Sequence, residues 1–231
     1  MLDPAGRVVM VSGASRGIGR AVVERLLAAG FLVSAGVRDA RGLAGTDRLM
    51  VHRYDADSVP SAAAWVDATL ARFGVLHGLV NAAGINPKAT LMDPDETALD
   101  AMWLVNVKAP MRLIRLALPH LQACGEGRVV NLSSLSGKRV RNPNVGYALT
   151  KFAMVALTHA VRREGWEHGV RATAVCPGFV ATDMTADVTA LPRAAMTQPA
   201  DLAALIEMLL RLPGNAAVAE LLVNCRHEDM L

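Results

Sequence analysis

Short apolar runs alternate with longer stretches of helical apolar spacing along most of this 231-residue chain. The runs are rich in Val and Leu and are continuous, so we expect strands that are covered on both faces. The predicted strands cover residues 7–11, 31–37, 50–54, 78–81, 128–132, 170–176 and 220–223. The predicted helices cover residues 17–29, 60–73, 95–123, 147–168 and 199–212. This order of elements predicts an α/β protein.

The alternation constrains the topology as well as the class. Strands covered on both faces imply a parallel sheet of about seven strands with helices on both faces, and right-handed crossovers then give a doubly wound fold. The chain length suits one domain. Because hydrophobic residues make up 52% and aromatic residues only 4%, we expect an interior of mostly Ala, Val and Leu. Such sheets bind ligands at the carboxyl ends of their strands.

Composition argues against several functions. The net charge is +3, and no long basic run marks a nucleic-acid surface. The apolar window at residues 202–212 is short and is interrupted by Glu207 and Arg211, so a membrane span is not expected. The first predicted strand begins too early to leave room for a secretory signal. We therefore expect a cytoplasmic protein.

The cysteines and histidines do not predict a metal site. Cys124, Cys176 and Cys225 are odd in number, far apart and without CxxC spacing, so neither a disulfide framework nor a zinc site is expected. Three small buried thiols in a reducing cytoplasm are the better interpretation. The six histidines also lack ligand spacing, which favours surface or core positions for them.

A glycine-rich loop follows the first predicted strand and opens the first predicted helix. It reads Ser-Gly-Ala-Ser-Arg-Gly-Ile-Gly over residues 12–19. Glycines allow a tight turn, and the helix N-terminus offers free N–H groups and partial positive charge to a diphosphate. A structural turn with tight helix packing is the alternative interpretation. We expect cofactor contacts from Gly13, Ser15, Arg16, Gly17, Ile18 and Gly19.

The second predicted strand is followed by both residue types that distinguish NAD from NADP. An acidic residue there binds the ribose 2′-hydroxyl of NAD, whereas an arginine suits the 2′-phosphate of NADP. Successive strand residues face opposite ways, so Asp39 points away if Arg38 points in. With Arg16 as a second cation nearby, we favour NADP and keep NAD as a possibility. A solvated surface position is the alternative for each arginine.

Polar and small residues also follow the third and fourth predicted strands. Asp55 comes after the third strand, and Asn81, Ala82, Ala83 and Gly84 end the fourth. Such residues are common in turns for local reasons. Their repeated placement at strand ends makes a cofactor rim the better interpretation, and we expect all five to contact the cofactor.

Tyr147 and Lys151 lie four residues apart in a predicted helix, with Ser134 upstream. The i,i+4 spacing places the phenol and the ammonium on one face, where the cation favours the phenolate. A free tyrosine has a pKa near 10, so a shift of about 3 units, roughly 4 kcal/mol, makes it an acid and base at neutral pH. An ordinary exposed helical pair is the alternative.

The motifs together resemble the short-chain dehydrogenase/reductases over residues 7 to about 184, with looser similarity to residue 223. The similarity rests on GxxxGxG at 13–19, NAAG at 81–84, Asn106, Ser134, YxxxK at 147–151, and Pro177-Gly178 with Thr182. It implies a Rossmann-type domain and a catalytic tetrad. The tetrad residues are Asn106, Ser134, Tyr147 and Lys151.

The resemblance assigns a role to each tetrad residue. Ketone reduction places negative charge on oxygen, so Ser134 is expected to hold that oxygen and Tyr147 to protonate it. The family register selects Ser134 over its neighbouring serines. Asn106 is expected to hold a water that links Lys151 to solvent, although it could be only a buried hydrogen-bonding residue. Tyr147, Lys151, Pro177, Gly178, Val180 and Thr182 are also expected to contact the cofactor.

Three segments bear on the substrate. Residues 177–198 lack clear periodicity and form the predicted substrate lid. The basic segment 138–142 is expected to border the substrate mouth, where it meets an acidic substrate or an acyl-carrier phosphopantetheine arm, or is simply a solvated loop. After the last predicted strand, residues 224–229 depart from the Gly-Gly turn that is common in the family.

We therefore expect an NADP-dependent oxidoreductase that transfers hydride between nicotinamide and a carbonyl or secondary alcohol. A small ketone or a 3-ketoacyl thioester would be its substrate. The alternative is a catalytically silent nucleotide-binding protein with a regulatory or redox-sensing role, although a pure binder has no chemical need for Tyr147. Helices 95–123 and 147–168 offer outer faces rich in Ala and Leu, and the resemblance implies a homodimer or homotetramer.

Overall fold

The computed structural model describes residues 1–40 and 42–228, and within these ranges all the strands form one parallel sheet. The sheet has seven strands in the order β3-β2-β1-β4-β5-β6-β7. The strands are β1 Val8–Ser12, β2 Leu32–Val37, β3 Leu49–Arg53, β4 Gly78–Asn81, β5 Arg128–Leu132, β6 Arg171–Pro177 and β7 Glu220–Val223. The α-helices are α1 Gly17–Ala29, α2 Val59–Phe73, α3 Thr97–Trp103, α4 Ala109–Ala123, α5 Val145–Gly165 and α6 Pro199–Arg211.

The prediction of a doubly wound parallel sheet is confirmed. Every residue of β1, β4 and β5 is buried, as their continuous apolar runs require when helices cover both faces. The edge strand β7 is only partly buried, which matches its weaker apolar pattern. The strand order reverses between β1 and β4, and in such folds this switch point opens a crevice at the carboxyl ends of the strands.

Two hydrophobic clusters hold helices against opposite faces of the sheet. On one face, α1 and α6 pack Leu26 and Ile206 into a shared core. On the other, α2 and α4 contribute Trp65, Leu113 and Leu121. Each of these side chains is fully buried or nearly so, and burial of one large aliphatic side chain contributes roughly 1.5–3 kcal/mol. The two clusters fix the sheet and hence the crevice.

The helix predicted over residues 95–123 is wrong as a continuous helix. A π-helical turn, Leu104–Lys108, separates α3 from α4, and the N–H of Ala109 donates to the carbonyl of Leu104. Pro110 has no N–H to donate to the carbonyl of Asn106, so one i→i−4 hydrogen bond of an α-helix is missing at the junction of the π turn and α4. Such π turns are frequent at functional sites, and this one contains Asn106.

Helix α5 begins two residues earlier than predicted, after Asn144. The side chain of Asn144 does not cap its own helix but binds the segment after β4: its Oδ1 accepts from the N–H of Ala89 at 3.0 Å, and its Nδ2 donates to Asn86 at 2.9 Å. This contact fixes the start of α5 beside the ends of β4 and β5. In the described residues, no helix combines the length and apolar character needed to span a bilayer.

Candidate active site

Two adjoining cavities open at the carboxyl ends of the strands. The first cavity, of about 480 Å³, lies over the glycine loop and the ends of β2, β3 and β4. The second cavity, of about 390 Å³, lies over the ends of β5 and β6 and the start of α5. Six residues line both cavities: Ile18, Ala82, Gly84, Asn86, Thr182 and Met184. The shared walls show that the two cavities form one continuous crevice at the switch point.

The glycine loop forms the floor of the first cavity. Gly13 has a φ of 69°, and a Cβ there would lie 2.7 Å from the Cα of Ala83. The next helix, α1, has no side-chain cap and no acidic residue in its first turn. Its first N–H groups are therefore without a capping partner from these side chains, and the partial positive charge of the helix end is not neutralised. The loop has the shape and charge to bind an anion such as a diphosphate.

Ser12, which the sequence analysis gave no role, fixes the relative position of two of the expected cofactor segments. Its Oγ accepts hydrogen bonds from the N–H groups of Ala82 at 3.2 Å and Ala83 at 3.3 Å. This contact joins the end of β1 to the end of β4. The sequence signal that could have identified Ser12 is a small hydroxyl residue at the end of a strand that leads into a glycine loop.

Asn81 is expected at the cofactor rim, but the structure places its side chain in the core. Its Nδ2 donates to Oδ1 of Asn131 at 2.8 Å, and Nδ2 of Asn131 donates to Thr158 at 2.9 Å. All three residues are buried, and Asn81 lines neither cavity. The amide chain therefore connects β4, β5 and α5 beneath the site, while Ala82, Ala83 and Gly84 line the first cavity.

The charged rim of the first cavity contains the residues predicted to contact the ribose. Arg38 lines the cavity and Asp39 does not, in keeping with the opposite directions of successive strand residues. Arg16 forms an exposed ion pair with Asp183 at 3.1 Å, and both residues lie on the cavity wall. Asp55 also lines the cavity.

Ser134, Tyr147 and Lys151 come together in the second cavity. The side chain of Ser134 lies beside Tyr147 and lowers the pKa of its phenol, and its Oγ accepts from the N–H of Ser136 at 3.0 Å. The Nζ of Lys151 lies 5.4 Å from the centroid of the Tyr147 ring and donates to the carbonyl of Leu132 at 2.8 Å. The i,i+4 spacing on α5 thus places the cation against the phenol.

Burial controls the titration of both groups. It lowers the pKa of Lys151 to about 8, because an ammonium loses its hydration there. It raises the pKa of Tyr147 to about 12, and the neighbouring hydroxyl of Ser134 opposes this rise only in part. The protein alone therefore holds Tyr147 as a protonated phenol at neutral pH. This differs from the expected downward shift, because desolvation exceeds the effect of the neighbouring residues.

Asn106 lies beside this group, but the contacts of its side chain are already made. Its Oδ1 accepts from the N–H of Ile85 at 2.9 Å, and its Nδ2 donates to the carbonyl of Ile85 at 2.9 Å and to Thr150 at 3.2 Å. It is buried and lines neither cavity. The side chain thus ties the π turn to the segment after β4 and to α5. Its backbone carbonyl is the group that Pro110 leaves without an α-helical donor.

The predicted lid is a structured loop that bounds both cavities. Pro177, Gly178 and Val180 line the second cavity, and Thr182 lines both. The base of the loop is closed by paired backbone bonds: Ala181 donates to Thr197, and Thr197 donates to Phe179. Thr182 begins a short 3₁₀ turn, Asp183–Thr185. The loop between these anchors is largely exposed.

The basic segment borders the second cavity as expected, but its charges are largely paired. Arg139 forms a buried ion pair with Glu228 at 2.5 Å, and Arg141 reaches the same carboxylate oxygen at 3.3 Å. Lys138 pairs with Glu220 at 2.6 Å. Arg226 and Glu228 also line the cavity, so the atypical segment after β7 forms part of its wall. The sequence signal for these two residues is the presence of charged residues after β7 and of opposite charge in the basic segment.

A family model and curated proteins of similar sequence match this chain. The short chain dehydrogenase family model matches residues 7–192. Agropine synthesis reductase from Rhizobium rhizogenes is 41% identical over 229 residues, which cover 96% of this chain and 53% of that protein. L-fucose dehydrogenase from Mus musculus is 34% identical over 245 residues, which cover 95% of this chain and 88% of that protein. The chain spans about half the length of the two agropine synthesis reductases that it matches.

Solved structures share the whole fold. A 3-ketoacyl-(acyl-carrier-protein) reductase from Brucella melitensis, complexed with NADH, aligns with a TM-score of 0.89 and 26% identity over 96% of this chain and 98% of that one. A short chain dehydrogenase from Burkholderia cenocepacia, in complex with NADP, aligns with a TM-score of 0.85 and 27% identity over the same shares. Both neighbours carry a nicotinamide dinucleotide.

Proposed function

Because this chain belongs to the short-chain dehydrogenase/reductase family, we propose that it is an NADP-dependent oxidoreductase that reduces a carbonyl group. The observation that carries this proposal is the meeting of Ser134, Tyr147 and Lys151 in a cavity continuous with the glycine loop. The first two relatives and the Brucella melitensis neighbour are all reductases by name. Their names support reduction as the direction.

The first cavity fits a nicotinamide dinucleotide. At Gly13 a side chain would meet the backbone of Ala83, so the glycine allows the loop to pack closely against the segment after β4 and to form the floor of this cavity. The uncapped start of α1 suits the diphosphate. Gly13, Ser15, Arg16, Gly17, Ile18 and Gly19 would hold the diphosphate side of the cofactor. Pro177, Gly178, Val180 and Thr182 would hold the nicotinamide end, which brings it to the boundary between the two cavities.

Ser134 and Tyr147 then have different roles at the substrate oxygen: Ser134 binds it and Tyr147 protonates it. When bound, the reduced nicotinamide supplies the hydride. Ser134 is already fixed by the N–H of Ser136, and its contact with the carbonyl of Pro177 is long at 3.4 Å. Its hydroxyl proton can therefore turn to the substrate oxygen, where negative charge develops. The phenol of Tyr147 is protonated at neutral pH and can donate to the same oxygen.

Lys151 and Asn106 would complete the proton path. One of the three N–H bonds of Lys151 is taken by the carbonyl of Leu132, which leaves two donors for a ribose hydroxyl and a water. The side chain of Asn106 is occupied by Ile85 and Thr150. We therefore assign the water contact to the backbone carbonyl of Asn106, which the π turn and Pro110 release from the α-helical pattern.

The preference for NADP rests on charge at the end of β2. Arg38 lines the first cavity, and no ion pair engages it in residues 1–40 and 42–228. Arg16 lies on the same wall, where Asp183 partly neutralises it. A guanidinium at this position suits a 2′-phosphate. A preference for NAD is the alternative, and a comparison of the dissociation constants of NADPH and NADH would distinguish the two.

The second cavity suits a small carbonyl compound, and the loop at 177–198 would serve as its lid. Phe179, Val180 and Val188 give that cavity an apolar wall on the lid side. Closure of the exposed part of the loop over the substrate would exclude water from the proton transfer. A 3-ketoacyl thioester is the larger candidate, and it would have to enter past the basic segment.

A homo-oligomer is also part of the proposal. Trp103, Met111, Leu149 and Phe152 are large apolar side chains that stay exposed on α3, α4 and α5. An exposed apolar face of this kind is typical of a protein interface. A mass measurement in solution would distinguish a monomer from a dimer or tetramer.

The direct test is NADPH oxidation against a panel of ketones, aldehydes and ketoacyl thioesters, with wild type and Tyr147→Phe. Removal of the phenol should reduce turnover by about 10²- to 10⁴-fold, the usual contribution of a general acid. The affinity for NADPH should stay unchanged, because the glycine loop is untouched. Full activity of Tyr147→Phe would refute the assigned acid. NADPH binding by wild type without turnover on any carbonyl would favour the silent nucleotide-binding alternative.

A further inference from the structure

The second cavity has a strong excess of positive charge. Its walls include four cationic side chains, those of Lys151, Arg139, Arg141 and Arg226, and among the described residues only one carboxylate, that of Glu228. A cavity lined by one sign of charge raises the local concentration of ligands of the opposite sign. The charge is therefore a property of the substrate side of the crevice, separate from the cofactor side.

The four cations differ in whether their charge is already paired within the protein. Arg139 and Arg141 share one oxygen of Glu228, at 2.5 Å and 3.3 Å, and Lys151 is buried with its Nζ bonded to Leu132. Arg226 differs from these three. Its guanidinium carbon lies 5.4 Å from the centroid of the Phe179 ring, and within the described part of the chain it forms no ion pair.

The ring of Phe179 holds Arg226 at the wall of the second cavity. A cation–π contact of this kind uses none of the N–H donors of the guanidinium in a hydrogen bond. Phe179 belongs to the loop at 177–198, which also carries Val180 on the wall of the second cavity and Thr182 on the wall that the two cavities share. Arg226 is thus a cation placed on the wall of the substrate cavity, with donors that no described residue uses.

We propose that Arg226 binds a carboxylate of the substrate, so that this enzyme acts on a carbonyl compound that also carries an acid group. This inference rests on the proposed function and specifies its substrate class. The planar fork of a guanidinium matches a carboxylate through two parallel hydrogen bonds. Among the described residues, Arg226 is the one arginine of this cavity without an ion pair, and it matches one such group. The ion pairs of Arg139 and Arg141 with Glu228 hold the segment after β7, which carries Arg226, in place.

The experiment measures binding rather than turnover, so that it remains informative if the catalytic assignment fails. The full chain is saturated with NADP⁺, and a series of short keto acids that differ in the distance from ketone to carboxylate is titrated by calorimetry. The methyl ester of each acid serves as the neutral analogue of nearly the same shape. Wild type should bind at least one acid about tenfold or more tightly than its ester, as a charge-assisted contact predicts.

Two variants assign that preference to the residue. Arg226→Gln should abolish the preference of acid over ester and leave the affinity for the ester unchanged, while Arg226→Lys should retain part of it because the charge stays and the fork is lost. Arg163→Gln is the matched control, since Arg163 is an exposed arginine of α5 that lines neither cavity. It removes the same charge and should keep the preference intact.

The outcomes separate the inference from the function. If wild type shows no preference for any acid over its ester, or if Arg226→Gln keeps the preference, the carboxylate assignment is overturned. If the preference depends on Arg226 but NADPH is not consumed with the acids that bind, the binding assignment stands and the proposed reduction fails. A keto phosphate that binds more tightly than every keto acid, in an Arg226-dependent way, would overturn the choice of carboxylate.

Discussion

Gly13→Ala provides a quantitative test of the glycine loop. Gly13 has a φ of 69°, and a non-glycine residue in this left-handed region costs about 1–2 kcal/mol. The added Cβ would also lie 2.7 Å from the Cα of Ala83, so one backbone must move by about 0.7 Å to reach ordinary contact at 3.4 Å. Overpacking of this kind adds about 1–3 kcal/mol.

The displaced segments are the ones that would hold the cofactor. Gly13 belongs to the glycine loop, which is proposed to hold the diphosphate, and Ala83 also lines the first cavity. Loss of a single charge-assisted hydrogen bond to a phosphate would weaken binding by about tenfold or more. We expect Gly13→Ala to raise the dissociation constant of NADPH by at least that factor, measured by fluorescence titration at a temperature where the variant is folded.

The matched control is Gly125→Ala. Gly125 has nearly the same φ, 71°, but a Cβ there would meet nothing within 4 Å, and it lies at the far end of α4. This variant should lose about 1–2 kcal/mol of stability from the backbone alone, and its affinity for NADPH should be unchanged. Thermal unfolding should show Gly13→Ala as the less stable variant. If Gly13→Ala binds NADPH as tightly as Gly125→Ala does, the proposed diphosphate site is wrong.

Two further predictions concern titration and cofactor choice. The pKa of Lys151 is lowered to about 8 from 10.5, so between these pH values the unfolded chain holds a proton that the folded chain has lost. The free energy of unfolding of the wild type should therefore rise with pH in this window, by at most about 1.4 kcal/mol per pH unit. Lys151→Met, measured by urea unfolding, should lack this rise. Parallel pH profiles for the two proteins would contradict the lowered pKa of Lys151. Arg38→Asp should lower the NADP:NAD ratio of kcat/KM by about tenfold or more, whereas Arg163→Asp should not, and an unchanged ratio in Arg38→Asp would remove the 2′-phosphate assignment.

The architecture could be predicted from the sequence because it depends on local patterns. The continuous apolar run at residues 128–132 marks β5, which is buried on both faces, and similar runs located the other strands. The glycine loop and the YxxxK spacing are also local, since a turn and one face of a helix determine their geometry. Asn106 was located as well, but Pro110 was not used to predict the break in the helix that contains it.

Tertiary structure decided the details that depend on distant residues. Glu228 neutralises Arg139 across 89 positions of the chain, and no periodic pattern connects residues so far apart. The same holds for Ser12, which bonds to the backbone of Ala82, and for the side chain of Asn81, which faces the core and not the cofactor rim. Burial also reversed the expected shift in the pKa of Tyr147, because desolvation depends on all the atoms packed around a group.

The sequence by itself thus determined the parallel sheet, and it located the glycine loop and the side chains proposed to react, because short-range spacing encodes each of them. Only the folded chain decided which charges face the substrate. Arg226 stands next to Phe179, 47 positions away in sequence, and its availability follows from Glu228 being taken by two other arginines. Competition among cations for one carboxylate is a property of three-dimensional packing, and so the charge of the second cavity could not be assigned before the structure was known.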